Sequence, residues 1–153
     1  MHPMPHAANL RIGRFSETGR VYLITTATPR RKPLFTDFIL ARLMVRALHE
    51  CDATGETQTL SYVLMPDHLH WLFELTNGEL SDAVKRFKST SSRWLNATRN
   101  TPGAPTWQAG FHDRALRREE DLQAVARYIV ANPLRAGLVK RIGDYPHWDA
   151  VWL

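Results

Sequence analysis

Apolar positions change their spacing several times along this chain, and each change marks an element. Arg20 to Thr28 (RVYLITTAT) is rich in β-branched residues and reads as a strand. Thr36-Asp37 can start a helix, because Phe38, Leu40-Ala41, Met44-Val45 and Leu48 then recur at helical spacing. Asp52-Ala53-Thr54-Gly55 ends it. Two strands follow, Thr57 to Met65 and His68 to Leu75, with Pro66-Asp67 as the turn or bulge between them. After a break at Asn77-Gly78, Ser81-Asp82 can cap a second helix running to about Ala97, with Lys85, Arg86, Lys88 and Arg93 on its exposed face. Asn100 to Pro105 is a Gly/Pro-rich loop, and Trp107 to Leu116 reads as irregular chain plus a fourth strand. Glu119-Glu120-Asp121 opens a third helix whose buried stripe is Leu122, Val125, Ala126 and Ile129. Pro133 ends or bends it.

Strand, helix, two strands, helix, strand, helix is the order of a ferredoxin-like α+β sandwich with an antiparallel four-stranded sheet. The length of 153 residues fits a single domain. Residues 1–19 read as a flexible basic arm and 140–153 as a C-terminal tail.

Strand parity then separates two kinds of residue. In a strand, residues two apart point to the same side of the sheet. Leu69, Trp71, Phe73 and Leu75 share one face, entirely apolar and suited to the core. His68, His70, Leu72 and Glu74 share the other. Two imidazoles on one face can reach a single metal ion, and buried histidines without partners would be costly. Two structural histidines remain the competing reading of a bare His-x-His.

Tyr128 and Asn132 lie four apart on the third helix, so both project from one face. If that helix covers the histidine face, Asn132 can offer its carboxamide oxygen as a third ligand, and Tyr128 points at whatever the metal holds. Two imidazoles and a neutral amide leave the ion's charge largely uncompensated, which suits phosphate oxygens. The plainer alternatives are an edge-of-core tyrosine and a turn asparagine. Pro133 biases Asn132 away from helical dihedrals.

Charge narrows the partner. The formal net charge is +5, which favours a polyanion such as nucleic acid. Basic residues cluster at Arg11, Arg14 and Arg20, at Arg30-Arg31-Lys32, along Lys85 to Arg93, and at Arg114 with Arg117-Arg118. They either contact phosphates or form a solvated surface. The single cysteine, Cys51, permits no internal disulfide, which fits a reducing cytosol. No apolar run approaches a membrane span, and the N-terminus lacks signal-peptide regions. No Gly-x-Ser-x-Gly and no phosphate-cradling glycine loop occurs, which argues against serine hydrolase and nucleotide hydrolase chemistry.

Two segments carry a resemblance. Tyr62-Val63-Leu64-Met65-Pro66-Asp67-His68-Leu69-His70 and Tyr128-Ile129-Val130-Ala131-Asn132-Pro133-Leu134-Arg135-Ala136-Gly137-Leu138-Val139, supported by Trp107-Gln108, Phe111 to Arg117 and Asp144-Tyr145-Pro146, are similar to the REP-associated tyrosine transposases. These are a branch of the single-tyrosine HUH transposases. The resemblance spans about Gly13 to Pro146. It implies that His68 and His70 are metal ligands with Asn132 as the third, where related transposases carry Gln, and that Tyr128 is the nucleophile. It further implies magnesium or manganese as cofactor. The partner it implies is single-stranded DNA folded into palindromic hairpins, read in part by the basic arm. The expected reaction is DNA nicking and rejoining through a 5′-phosphotyrosine, by a cytoplasmic, nucleoid-associated monomer or homodimer. A hairpin-binding module that does not cut, and an RNA-binding domain of the same fold, are the competing readings. The chain departs from the common family pattern after Tyr145-Pro146.

Overall fold

The computed structural model describes residues 16–117 and 121–152. Arg11 and Arg14 lie outside them. The elements are β1 (Val21–Ala27), α1 (Phe38–Ala53), β2 (Thr57–Met65), β3 (His68–Leu75), α2 (Leu80–Arg99), β4 (His112–Ala115), α3 (Leu122–Val130), α4 (Asn132–Arg135) and β5 (Trp148–Ala150). The sheet order is β4-β1-β3-β2-β5, and every pair is antiparallel.

The α+β architecture is the expected one, but the sheet has five strands rather than four. The extra strand comes from the segment expected to be a tail. Trp148 pairs with Val63 and Ala150 with Ser61, while the Tyr145 hydroxyl donates to the Leu64 carbonyl at 2.5 Å. Leu64 N–H donates in turn to the His147 carbonyl at 2.9 Å. These partners lie more than eighty residues away in sequence, so no local pattern announces them.

The two faces of the sheet divide as strand parity requires. Leu69, Trp71, Phe73 and Leu75 join Tyr22, Ile24, Tyr62 and Leu64 under α1 and α2, together with Met44, Leu48, Phe87 and Trp107. Trp71 is fully buried and donates its indole N–H to Thr59 Oγ1 at 2.9 Å, which satisfies the one polar group of that ring. On the opposite face Val63, Met65 and Leu72 meet Ala126 and Ile129 of α3. One helix thus covers only part of that face, and the histidine end of β3 stays accessible beside it.

Two helix starts show how local signals were reassigned. Asp37 caps α1, its carboxylate accepting from Leu40 N–H at 3.1 Å. For α2 the expected cap, Ser81-Asp82, lies inside the first turn instead. Glu79 is the N-cap and makes no side-chain cap bond; Ser16 Oγ accepts from Leu80 N–H at 2.8 Å. A cap from a remote residue satisfies the same orphan donor. Ser16 is therefore tied to the fold. Gly19 follows suit, donating its N–H to the Leu75 carbonyl at 2.7 Å from a φ of 89° that suits glycine. The expectation of a flexible arm over 1–19 is thus corrected for residues 16–19, and the rest of that segment lies outside the described residues.

Among the described residues no helix is long and apolar enough to cross a membrane. Cys51 is buried in the core, and burial together with the charges of Glu56 and Asp52 pushes its thiol pKa up to about 12.

Candidate active site

β3 delivers the two histidines at the first residue after the Pro66-Asp67 turn and two residues further on. Their rings meet edge to face, with centroids 4.8 Å apart. Each ring has its Nδ1 held from behind. His68 Nδ1 lies 2.7 Å from Asp67 Oδ1, and His70 Nδ1 lies 3.0 Å from Thr25 Oγ1 on the neighbouring strand. When Nδ1–H donates to an oxygen, the lone pair is on Nε2, the atom a metal would take.

Arg31 completes the arrangement around His68. Its Nε donates to Asp67 Oδ2 at 2.9 Å, and its Nη2 lies 3.1 Å from His68 Nδ1. A proton shared between His68 and Asp67 leaves no lone pair on that nitrogen for Arg31. The guanidinium therefore acts toward His68 as a nearby charge. Partial burial opposes ionisation of Asp67, but the hydrogen bonds from His68 and Arg31 outweigh it and hold the carboxyl below its usual range. Burial, with the charges of His68, Arg135 and Arg31 adding to it, pushes His70 down to about 4, so its ring is neutral across the physiological range.

α3 runs from its Asp121 cap, whose side chain accepts from Ala124 N–H at 3.1 Å. It stops at Ala131, and α4 starts at Asn132 with Pro133 near its first turn. Pro133 biases Asn132 away from helical dihedrals, yet Asn132 is itself helical and the break falls one residue earlier. Pro133 has no N–H to give the Ile129 carbonyl one turn back. The Asn132 side chain fills that gap, its Nδ2 donating to Ile129 O at 3.0 Å. The same bond leaves the carboxamide oxygen of Asn132 as the end of the amide not engaged with Ile129.

Tyr128 is 66% exposed. Its ring carries the Arg135 guanidinium, whose carbon lies 4.0 Å from the ring centre, and Arg135 Nη2 donates to the Tyr128 carbonyl at 2.7 Å. Thr25, His70, Arg114, Tyr128, Asn132 and Arg135 line one cleft of about 500 Å³. Among the described residues no cluster of three His, Cys, Asp or Glu exists that could hold a metal. A metal here would rest on the two imidazoles plus the Asn132 amide oxygen. With both Nδ1 atoms already engaged, that donor set fits a divalent ion with positions left open.

The basic residues scatter more widely than the sequence suggested. Arg114 is exposed on β4 and lines the cleft, and Arg31 touches the histidine pair. Arg30 lies beside Arg31 on the same turn. Arg20 and Arg117 sit together at the opposite end of β1, where Arg20 donates to Leu116 O at 2.9 Å and pairs with Glu17 at 2.8 Å. Lys85 and Lys88 belong to α2, on the other side of the sheet. Lys88 is not on an exposed face: its ammonium reaches into the 108–110 loop, donating to the Gly110 carbonyl and to the Gln108 carbonyl at 2.9 Å. Its long stem allows that reach, and burial pushes its pKa down to about 8.

Three site residues escaped the sequence reading. Thr25 and Asp67 looked like ordinary strand and turn residues. Arg135 carried a usable signal, since it falls seven residues after Tyr128 and three after Asn132, on the same helical face.

The profile of the IS200-like transposases matches residues 18–132. A REP-associated tyrosine transposase of Escherichia coli (strain K12) is 29% identical over 88 residues, spanning 56% of this chain and 50% of that relative. The match thus covers half of that protein's length. A Haemophilus influenzae relative (strain ATCC 51907 / DSM 11121 / KW20 / Rd), named provisionally as a REP-associated tyrosine transposase, is 24% identical over 143 residues, 87% of this chain and 80% of its own. The fold is shared with the solved structure of a REP-associated tyrosine transposase bound to a REP hairpin, at a TM-score of 0.72 and 20% identity over 88% of this chain and 79% of that one. With the profile match running across well over half of its length, and through the cleft from Thr25 to Asn132, the chain belongs to the IS200-like transposase family.

Proposed function

We propose that this protein nicks and rejoins single-stranded DNA at palindromic hairpins, with Tyr128 as the nucleophile. The observation that carries the reading is the cleft itself. Tyr128, Asn132 and His70 line one space together with the cations Arg114 and Arg135. A phosphodiester entering it meets positive charge beside the phenol, which favours the charge that builds on the phosphoryl oxygens during attack.

Tyr128 Oη attacks phosphorus, the bond from phosphorus to the 3′-oxygen breaks, and a 5′-phosphotyrosine remains. The phenol proton passes to solvent, which reaches the exposed ring, and the leaving 3′-oxygen takes one up. One ester replaces another, so the 3′-hydroxyl can reverse the step without ATP. A magnesium or manganese ion held by His68, His70 and Asn132 would supply Lewis-acid polarisation of a phosphate oxygen when bound. Donation from the Nδ1–H groups to Thr25 and Asp67 would free both Nε2 atoms for such a ligand set.

The REP hairpin seen with the solved relative supports the choice of substrate. The test is incubation of hairpin oligonucleotides with Mn²⁺, comparing wild type with Tyr128→Phe on a denaturing gel. Wild type should give a cut strand and a protein–DNA adduct, and the variant neither. If both proteins cut equally, or neither cuts any hairpin, the reading fails. Tight hairpin binding without cutting would then point to a DNA-binding module.

A further inference from the structure

We infer that Arg31 is a positioning residue for the proposed metal centre: it aims the Asp67 carboxylate, and through it the imidazole of His68. This rests on the metal-dependent reading above and adds the device that sets one of its ligands. The Asp67 carboxylate is divided between two neighbours. Its Oδ2 accepts from Arg31 Nε at 2.9 Å, and its Oδ1 lies 2.7 Å from His68 Nδ1. The Asp67 side chain is 26% exposed, so without Arg31 the carboxylate is free to turn toward water. With Oδ2 held by a charge-assisted bond, the carboxylate plane is fixed and Oδ1 stays on the imidazole. Arg31 Nη2, 3.1 Å from the same Nδ1, closes the third side. His70 has a simpler support, the single hydroxyl of Thr25.

The backbone is built to deliver Arg31 there. Among the described residues three that bear a side chain have positive φ: Arg30, Arg31 and Asn100. Asparagine tolerates the left-handed region, whereas arginine has no short polar group to favour it. Two consecutive arginines at φ of 55° are thus a strained pair that the surroundings must hold. What holds them is the same turn that carries Asp67. Thr28 N–H donates to Asp67 O at 3.0 Å, and Phe35 N–H donates to Pro66 O at 3.0 Å, one on each flank of the pair. Thr28 is fully buried, and its Oγ1 reaches Lys32 O at 2.7 Å and Asp67 O at 3.2 Å. The two turns are therefore stapled together, and the strained shape sets Arg31 against the Asp67 carboxylate.

Charge and position predict opposite signs. A guanidinium near a divalent ion repels it, so a neighbouring charge that does nothing else would, once removed, tighten metal binding. Loss of a positioning residue weakens binding, because the ring is no longer held for its ligand atom. The experiment titrates Mn²⁺ into the full chain by calorimetry, without DNA, with urea melts on every variant. Arg31→Asn suits the left-handed backbone and removes the guanidinium, and the Kd for Mn²⁺ should rise about tenfold. Arg31→Lys, which keeps the charge but not the fork, should fall between it and wild type. Arg30→Asn removes a charge from the same turn and should not weaken binding. In an Asp67→Ala background, Arg31→Asn should weaken binding no further, since Arg31 acts through Asp67. Unchanged or tighter binding in Arg31→Asn overturns the inference, as does an equal weakening with and without Asp67. Should Arg31→Asn fail to fold, Arg31→Lys decides, and wild-type affinity there overturns the inference. A wild type that binds no Mn²⁺ overturns the metal reading as well, whereas equal binding by wild type and Arg31→Asn overturns the role of Arg31 alone.

Discussion

Arg135 grips Tyr128 twice, through its main-chain carbonyl at 2.7 Å and over its ring at 4.0 Å. The phenol is otherwise exposed, so this one side chain limits where the ring can go. Arg135→Gln should lower the cleavage rate about tenfold or more, in line with a cation–π contact of about 1–2 kcal/mol. Arg135→Lys should restore only part of it, because an ammonium lacks the planar fork that serves both contacts. Hairpin affinity in a Tyr128→Phe background should move less than the rate. A loss confined to affinity would count against this positioning role.

Asn132 has two separable duties, one for each end of its amide. The nitrogen covers the Ile129 carbonyl that Pro133 leaves open, and the oxygen is the proposed third ligand. Asn132→Ala should cost about 1 kcal/mol of stability and abolish cutting. Asn132→Ala with Pro133→Ala should recover stability, because the restored N–H can bond Ile129, yet remain inactive. Urea melts and nicking assays on both variants separate the two duties. Activity in the double variant would remove Asn132 from the ligand set.

Thr25 touches the ligand set only through His70. Thr25→Val keeps the shape but removes the oxygen 3.0 Å from His70 Nδ1. Cleavage should then need about 10–100-fold more Mn²⁺ to reach half its maximum, with the maximum rate little changed. Direct Mn²⁺ titration by calorimetry should show the same shift. An unaltered metal requirement would leave Thr25 as a packing residue.

Acid should destabilise this fold through histidine burial. His147 is only 5% exposed, and burial, with Arg42 nearby, pushes it down to about 4. His70 is pushed the same way, also to about 4. In the unfolded chain both titrate near the ordinary histidine value of about 6.5. The unfolded chain therefore binds more protons between the two values. Stability is full above about pH 6.5 and falls toward pH 4, by up to about 1.4 kcal/mol per pH unit for each histidine. Urea melts of wild type and His147→Gln from pH 7.5 to 4.5 should show a shallower decline in the variant. Parallel declines would assign the effect elsewhere.

Much of this could be read from the residues, because most of it depends on period. Alternation alone placed Trp71 and Phe73 in the core and the two histidines on the other face, and helical spacing put Tyr128 beside Asn132. What escaped depended on distant partners. Trp148–Ala150 is too short to announce a strand, and only its pairing with β2 makes it one. Lys88 has the spacing of a surface lysine, yet a loop twenty residues on supplies its acceptors. The cap of α2 comes from Ser16, which no pattern local to that helix could reveal. Around the site, Thr25 and Asp67 are defined by what stands next to them across the sheet and the turn, which no one-dimensional spacing encodes.

The short closing strand also bears on the exposed border of the sheet. Without Trp148–Ala150, the nine residues of β2 would form the border of the sheet, with unpaired backbone groups along an apolar run. Such a border is a template for the strands of other copies. The segment from Tyr145 to Ala150 instead covers part of it: the Tyr145 hydroxyl donates to the Leu64 carbonyl, and Leu64 N–H donates to the His147 carbonyl. That pairing covers part of the β2 border, so truncation before Tyr145 should increase aggregation, as read by light scattering.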